Sequence, residues 1–188
     1  MKTLSGKVAV VTGAAGGLGR EMALAFAAEG MHVALADVDL KNLSSAKIRA
    51  EEKGVRAFAM QVDVSKATEV ESFAVRIESE FGQTHVVCNN AGVSPLGAAW
   101  EASVAEWQWI LGVNLWGVIH GVRAFAPRLI ARNEGHIVNT ASVAGLISPP
   151  GSCAYNVTKH AVVALSETLY HDLRERGSAV GVSVLCPA

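Results

Sequence analysis

One alternation runs the whole length of this chain and constrains its fold more than any other feature. Short Val/Ala/Ile-rich runs take turns with longer segments of helical periodicity. The expected strands are 7–12, 32–36, 56–61, 85–88, 136–140 and 180–186; the expected helices are 17–29, 40–53, 66–81, 104–132 and 154–175. Most of the strand segments are continuously apolar, the pattern of strands covered on both faces. Strand–helix–strand repetition implies right-handed crossovers and a parallel sheet with helices on both sides. No linker or composition shift divides residues 1–188, so the expectation is one doubly wound α/β domain. Ser65 is a candidate cap for the third helix and Gly82 its terminator, while Ser103 and Glu106 form a capping box for the fourth. Pro127 predicts a kink or break near residue 126 in that fourth helix.

Composition narrows the function classes. With 51% hydrophobic residues, 18% charged residues and a net charge of −1, the chain is neither disordered nor a basic nucleic-acid binder. No apolar run reaches the roughly 20 residues of a membrane span. The short polar stretch before Lys7 does not read as a secretory leader, so a cytoplasmic protein is expected. Cys88, Cys153 and Cys186 are too scattered for a disulfide framework or a zinc site, and the histidines lack paired ligand spacing, so no metal is expected. Trp100, Trp107, Trp109 and Trp116 read as packing around the fourth helix, with a stacking surface as the alternative.

The first strand runs into Thr12-Gly13-Ala14-Ala15-Gly16-Gly17-Leu18-Gly19, and a helix follows. Glycines let the backbone turn sharply and approach a phosphate, which the helix N-terminus then binds through unpaired N–H groups and its dipole. The absence of Gly-Lys-Ser/Thr after them excludes a P-loop. A packing turn is the alternative. Asp37 ends the second strand, where a carboxylate can take both ribose hydroxyls of an adenine nucleotide. A helix-entry aspartate is the other reading there, and Asp39 fits it better. Together these features favour a dinucleotide site on a Rossmann fold.

Tyr155 and Lys159 stand four residues apart near the start of a helix, on one face. A free phenol titrates near about 10, and a fixed ammonium beside it favours the phenolate. Tyr-x-x-x-Lys alone arises by chance, but Ser142 lies at the carboxyl end of the fifth strand, where open parallel sheets bind ligands. Asn114 is an odd interior choice for a helix, either exposed or reaching inward.

These residues together resemble the short-chain dehydrogenase/reductases, in their compact single-domain branch. That family's Thr-Gly-x-x-x-Gly-x-Gly corresponds to Thr12–Gly19, its acid after strand two to Asp37, its Asp-Val pair to Asp63-Val64 and its Asn-Asn-Ala-Gly to Asn89–Gly92. Its catalytic tetrad falls on Asn114, Ser142, Tyr155 and Lys159. Gly13, Gly16 and Gly19 also satisfy the Gly-x-x-Gly-x-x-Gly of the sugar-epimerase and dehydratase branch. Where the family has Pro-Gly after strand six, this chain has Pro187-Ala188.

The resemblance implies hydride transfer between NAD(H) and a small alcohol or carbonyl substrate. Tyr155 would exchange the hydroxyl proton, Lys159 hold the nicotinamide ribose, Ser142 orient the substrate oxygen and Asn114 hold a relay water. Gly13, Gly17, Leu18, Gly19, Asp37, Asp63, Val64, Asn90, Ala91, Gly92 and Pro187 would contact the cofactor with Tyr155 and Lys159. Asp37 would repel a 2′-phosphate, so NAD(H) is expected over NADP(H). The fourth and fifth helices would pair in a homodimer or homotetramer, and substrate walls would come from 94–100 and 143–153. The family's substrate loop and seventh strand are absent, and the sixth strand would leave a long apolar edge. The working protein is therefore expected to extend past residue 188. Two other classes stay open: a dinucleotide-binding sensor or scaffold without turnover, and an epimerase or dehydratase, which needs a sugar-nucleotide domain.

Overall fold

The computed structural model describes residues 3–95 and 97–188. Six strands form one parallel sheet: β1 Val8–Thr12, β2 His32–Asp37, β3 Ala57–Gln61, β4 Val86–Asn89, β5 His136–Thr140 and β6 Gly181–Leu185. Their order is β3-β2-β1-β4-β5-β6. Helices α1 Gly17–Ala28 and α2 Leu40–Glu51 cover one face. Helices α3 Ala67–Phe81, α4 Val104–Leu111, α5 Gly117–Arg132 and α6 Cys153–Glu175 lie on the other.

Alternation along each strand sends neighbouring side chains to opposite faces, and here both faces are greasy. In β1, Val8 and Val10 join Phe73, Ile77, Phe125 and Leu129 from α3 and α5. Ala9 and Val11 join Ala23, Ala27 and Leu43 from α1 and α2. That double burial explains why the strands read as unbroken apolar runs. At the far edge, Val182 and Val184 of β6 pack inward, whereas Ser183 and Leu185 are exposed, with the Ser183 hydroxyl 2.8 Å from His136 Nε2. Among the described residues, no helix is long and apolar enough to cross a membrane.

Three local expectations need correction. The helix break lies at Gly112–Trp116, a π-helical turn between α4 and α5, and α5 runs unbroken through Pro127. Pro127 deprives the Arg123 carbonyl of its helical partner. Both residues are exposed, so water can solvate that carbonyl. Second, Ser65 does not cap α3: its hydroxyl donates to Asp63 Oδ1 at 2.7 Å, and the N-cap is Lys66. Third, three of the four tryptophans do not pack around the helix: Trp100, Trp109 and Trp116 are 85%, 51% and 52% exposed, whereas Trp107 is half-buried. The capping box of Ser103 and Glu106 and the left-handed Gly82 at the end of α3 are present as expected.

Two glycines of α5 bring that helix down onto the sheet. A Cβ on Gly117 would stand 2.7 Å from Val64 Cγ2, and one on Gly121 1.9 Å from Asn89 Oδ1. Asn89 cannot swing aside, because its Nδ2 donates to Asn139 Oδ1 at 2.8 Å, and Asn139 Nδ2 donates to Ser166 Oγ at 3.0 Å. Gly121→Ala is therefore expected to destabilise by about 1–3 kcal/mol through overpacking, outweighing a helix-propensity gain of about 1 kcal/mol. The urea unfolding midpoint checks this; an unchanged midpoint would mean that Asn89 yields freely.

Candidate active site

The strand order reverses between β1 and β4, so the chains leaving their carboxyl ends diverge to opposite faces and open a crevice. Into it come the loop after β1, with Gly13, Gly17, Leu18 and Gly19, and the loop after β4, with Asn90, Ala91 and Gly92. Tyr155 and Lys159 of α6, Asp37 of β2 and Pro187 line the same groove, whose volume is about 450 Å³. Asp63 and Val64 line an adjoining pocket of about 360 Å³, continuous with the groove through Gly13, Asp37, Ala91 and Gly92.

The glycine loop is built for close approach. Gly13 has φ +68°, and a Cβ there would stand 2.8 Å from Ala91 Cα. A Cβ on Gly19 would collide with the Gly13 carbonyl oxygen at 2.1 Å. A Cβ on Gly16 or Gly17 would meet nothing, so this side of the loop is open. Helix α1 starts from Gly16 with no side-chain cap and no acid in its first turn. Its leading N–H groups are thus available to an anion, as a pyrophosphate requires. Asp37 closes the loop from below: Oδ2 accepts from Ala15 N at 2.9 Å and Oδ1 from Asp39 N at 3.0 Å. A carboxylate has about four lone-pair sites, so acceptor capacity for ribose hydroxyls remains. These residues fit a dinucleotide.

Thr12, named by the glycine motif but not singled out as a site residue, organises the crossing. Its Oγ1 accepts from Asn90 N at 2.9 Å and Ala91 N at 3.1 Å. Asn90 Nδ2 in turn donates to the Thr12 carbonyl at 3.0 Å, and Thr140 Oγ1 donates to Asn90 Oδ1 at 3.2 Å. The Thr140 carbonyl accepts from Lys159 Nζ at 2.8 Å. Val93, which lines both pockets, is a second residue that sequence reasoning missed, because its hydrogen bonds come from its backbone. Its N–H donates to Asn114 Oδ1 at 2.8 Å, and its carbonyl accepts from Asn114 Nδ2 at 2.8 Å.

Asn114 is fully buried, the one buried residue of the π turn, and its Nδ2 also lies 3.3 Å from Thr158 Oγ1. Neither Asn114 nor Ser142 lines the groove itself. The Ser142 hydroxyl accepts from Ala144 N at 3.1 Å, capping a short 3-10 turn at Val143–Gly145, and is 3.3 Å from the Pro187 carbonyl. Lys159 Nζ lies 5.4 Å from the centroid of the half-buried Tyr155 ring. Burial pulls the Lys159 ammonium down to about 8.

The comparisons with known proteins agree with this geometry. The family model for short chain dehydrogenases matches residues 7–188. The chain belongs to the short-chain dehydrogenase/reductase family. A family member from Burkholderia phymatum, solved in complex with NAD, is 50% identical with a TM-score of 0.98; the match covers 100% of this chain and 67% of that one. The 1-deoxy-11-beta-hydroxypentalenate dehydrogenase of Streptomyces exfoliatus is 38% identical over 187 residues, 98% of this chain and 67% of its own. A metagenomic short-chain oxidoreductase solved with NADP is 33% identical with a TM-score of 0.92, over 98% of this chain and 83% of that one. The chain thus spans about two thirds of the length of the first two.

Of the expected substrate walls, Ser94 lines the groove, whereas much of the rest borders separate cavities. Gly97 N donates to the Gly151 carbonyl at 2.9 Å, tying the two wall segments together; Leu96 lies outside the described residues. Residues 98–100 and 148–151 border a cavity of about 610 Å³ against Cys153, Asn156, Val157 and His160. Helical spacing puts these on a different face of α6 from Tyr155 and Lys159. Asn156 Nδ2 donates to the Pro149 carbonyl at 2.8 Å and pins the second segment there.

Proposed function

We propose that this short-chain dehydrogenase/reductase is an NAD(H)-dependent oxidoreductase that interconverts a small-molecule alcohol and its ketone or aldehyde. The observation that carries the reading is Lys159 Nζ, 5.4 Å from the Tyr155 ring centroid, in the groove that begins at the glycine loop. When bound, the nicotinamide supplies the hydride acceptor for oxidation or the donor for reduction. Tyr155, as phenolate, takes the substrate hydroxyl proton onto its oxygen in oxidation and returns it in reduction. Lys159 favours the phenolate by its charge and is placed to hold a ribose hydroxyl. Ser142 turns its hydroxyl from Pro187, a long 3.3 Å contact, toward the substrate oxygen. Asn114 fixes the Val93 backbone and the floor beneath Gly92, where Asn114 Oδ1 and Lys159 Nζ lie 3.5 and 3.7 Å from the position of an added Cβ. The proton-relay water belongs to this reading as well.

Asp37 supports NAD(H) over NADP(H), because it lines both pockets and its carboxylate would repel a 2′-phosphate. Arg20, the nearest cation in the loop, is engaged with Glu21 at 3.0 Å. We place the protein in the cytoplasm, as one folded domain over residues 1–188 that pairs with a second copy through α4–α5 and α6. The exposed Trp116, Val157 and Tyr170 on α6 and the preceding π turn support that pairing.

A panel of alcohols followed by NADH absorbance tests the activity and separates it from a binding protein without turnover. Tyr155→Phe is expected to lower kcat/KM by roughly 10²–10⁴-fold with little change in NADH affinity, while Lys159→Ala weakens both. Normal turnover in Tyr155→Phe would remove the proton-transfer role. Catalytic efficiency with NAD(H) is expected to exceed that with NADP(H) by at least about tenfold, a difference of about 1.4 kcal/mol; parity would refute the role given to Asp37. Sedimentation at micromolar concentration is expected to show a dimer or tetramer, and a monomer would count against the paired helices.

A further inference from the structure

The groove and the pocket beside it meet at Asp37, so a ribose held by that carboxylate directs its base into the pocket of about 360 Å³. Val62, Val64 and Val113 give the pocket apolar sides, and Asp63 adds a polar one. Gln108 and Trp109 of α4, with Gly112 where the π turn begins, form the remaining wall, one face of a helix by their spacing. Gly112 lets this wall come close: a Cβ there would stand 3.3 Å from Ser65 Cβ.

Trp109 has no evident structural duty. It lines the pocket yet is 51% exposed, and the buried anchor of α4 is its neighbour Ile110. Among the described residues its ring pairs with no other aromatic, unlike Trp116, which lies 5.6 Å from His120. An indole held at the mouth of a base-sized apolar slot presents the flat surface on which a purine stacks, and such stacking does not depend on hydrogen-bond matching.

We propose that Trp109 stacks on the adenine of the bound dinucleotide and contributes to cofactor affinity from outside the recognised motifs. This rests on the dinucleotide reading above. The test is calorimetric titration of the wild-type, Trp109→Ala and Trp109→Phe proteins with 5′-AMP and with NADH, together with tryptophan fluorescence during the AMP titration. Trp109→Ala is expected to weaken both ligands about tenfold, within the range produced by losing one base–aromatic stack. Trp109→Phe should stay within about threefold of wild type, and the AMP-induced fluorescence change should be lost in it. Half exposure of the side chain makes both variants compatible with the fold. Equal AMP affinity in the wild-type and Ala proteins, or equal losses in Ala and Phe, would overturn the stacking role while leaving the dinucleotide site intact. Wild-type protein that binds neither AMP nor NADH would overturn both.

Discussion

The structure turns on what happens where β1 and β4 part. Two parallel neighbours end side by side, and their chains leave for opposite faces, so ladder partners run out just where a ligand must enter. Thr12 and Asn90 resolve this by reciprocal side-chain-to-backbone hydrogen bonds across the gap. Thr140 extends the lacing to β5, and Lys159 ties it to α6. The crevice is consequently a fixed frame whose polar groups are largely spoken for before any ligand arrives, apart from the N–H groups at the start of α1. Preorganisation of this kind keeps a binding site open without a cost in reordering.

Close approach is the second condition, and glycine provides it on both faces of the sheet. Gly13 and Gly19 bring α1 against the β4 loop, and Gly117 and Gly121 bring α5 against Val64 and Asn89. The first pair is legible from spacing, because the glycines fall in a short loop between a strand and a helix. The second pair is not, since Gly117 and Gly121 sit four apart in an ordinary helical pattern and their contacts come from residues distant in sequence.

The same distinction separates what could be read in advance from what could not. Six strands and the glycine loop follow from local periodicity, and the structure has them within a residue or two at each end. Pro127 pointed to the wrong place for the helix irregularity because the cost of a missing N–H depends on whether water reaches the orphaned carbonyl. Asn114 was the better clue: its two-sided pairing with Val93 goes with the π turn that turns it inward. Trp100, Trp109 and Trp116 were misplaced because hydrophobicity favours burial without requiring it. Val93 and the Thr140 carbonyl contribute backbone atoms, which carry no side-chain signature at all.

Lys159 shows how the frame imposes its chemistry. Among the described residues, no carboxylate pairs with this buried ammonium; it has the Thr140 carbonyl and the Tyr155 ring. Burial without a counter-charge therefore pulls it from its ordinary 10.5 to about 8. A lysine depressed in the fold binds fewer protons there than in the unfolded chain between those two values. Stability accordingly rises with pH across that window and is lower below it. At neutral pH the protein holds a charge it would be more stable without. The Tyr155 ring, one turn away on the same helix and 5.4 Å from Nζ, is the group the geometry sets beside that charge.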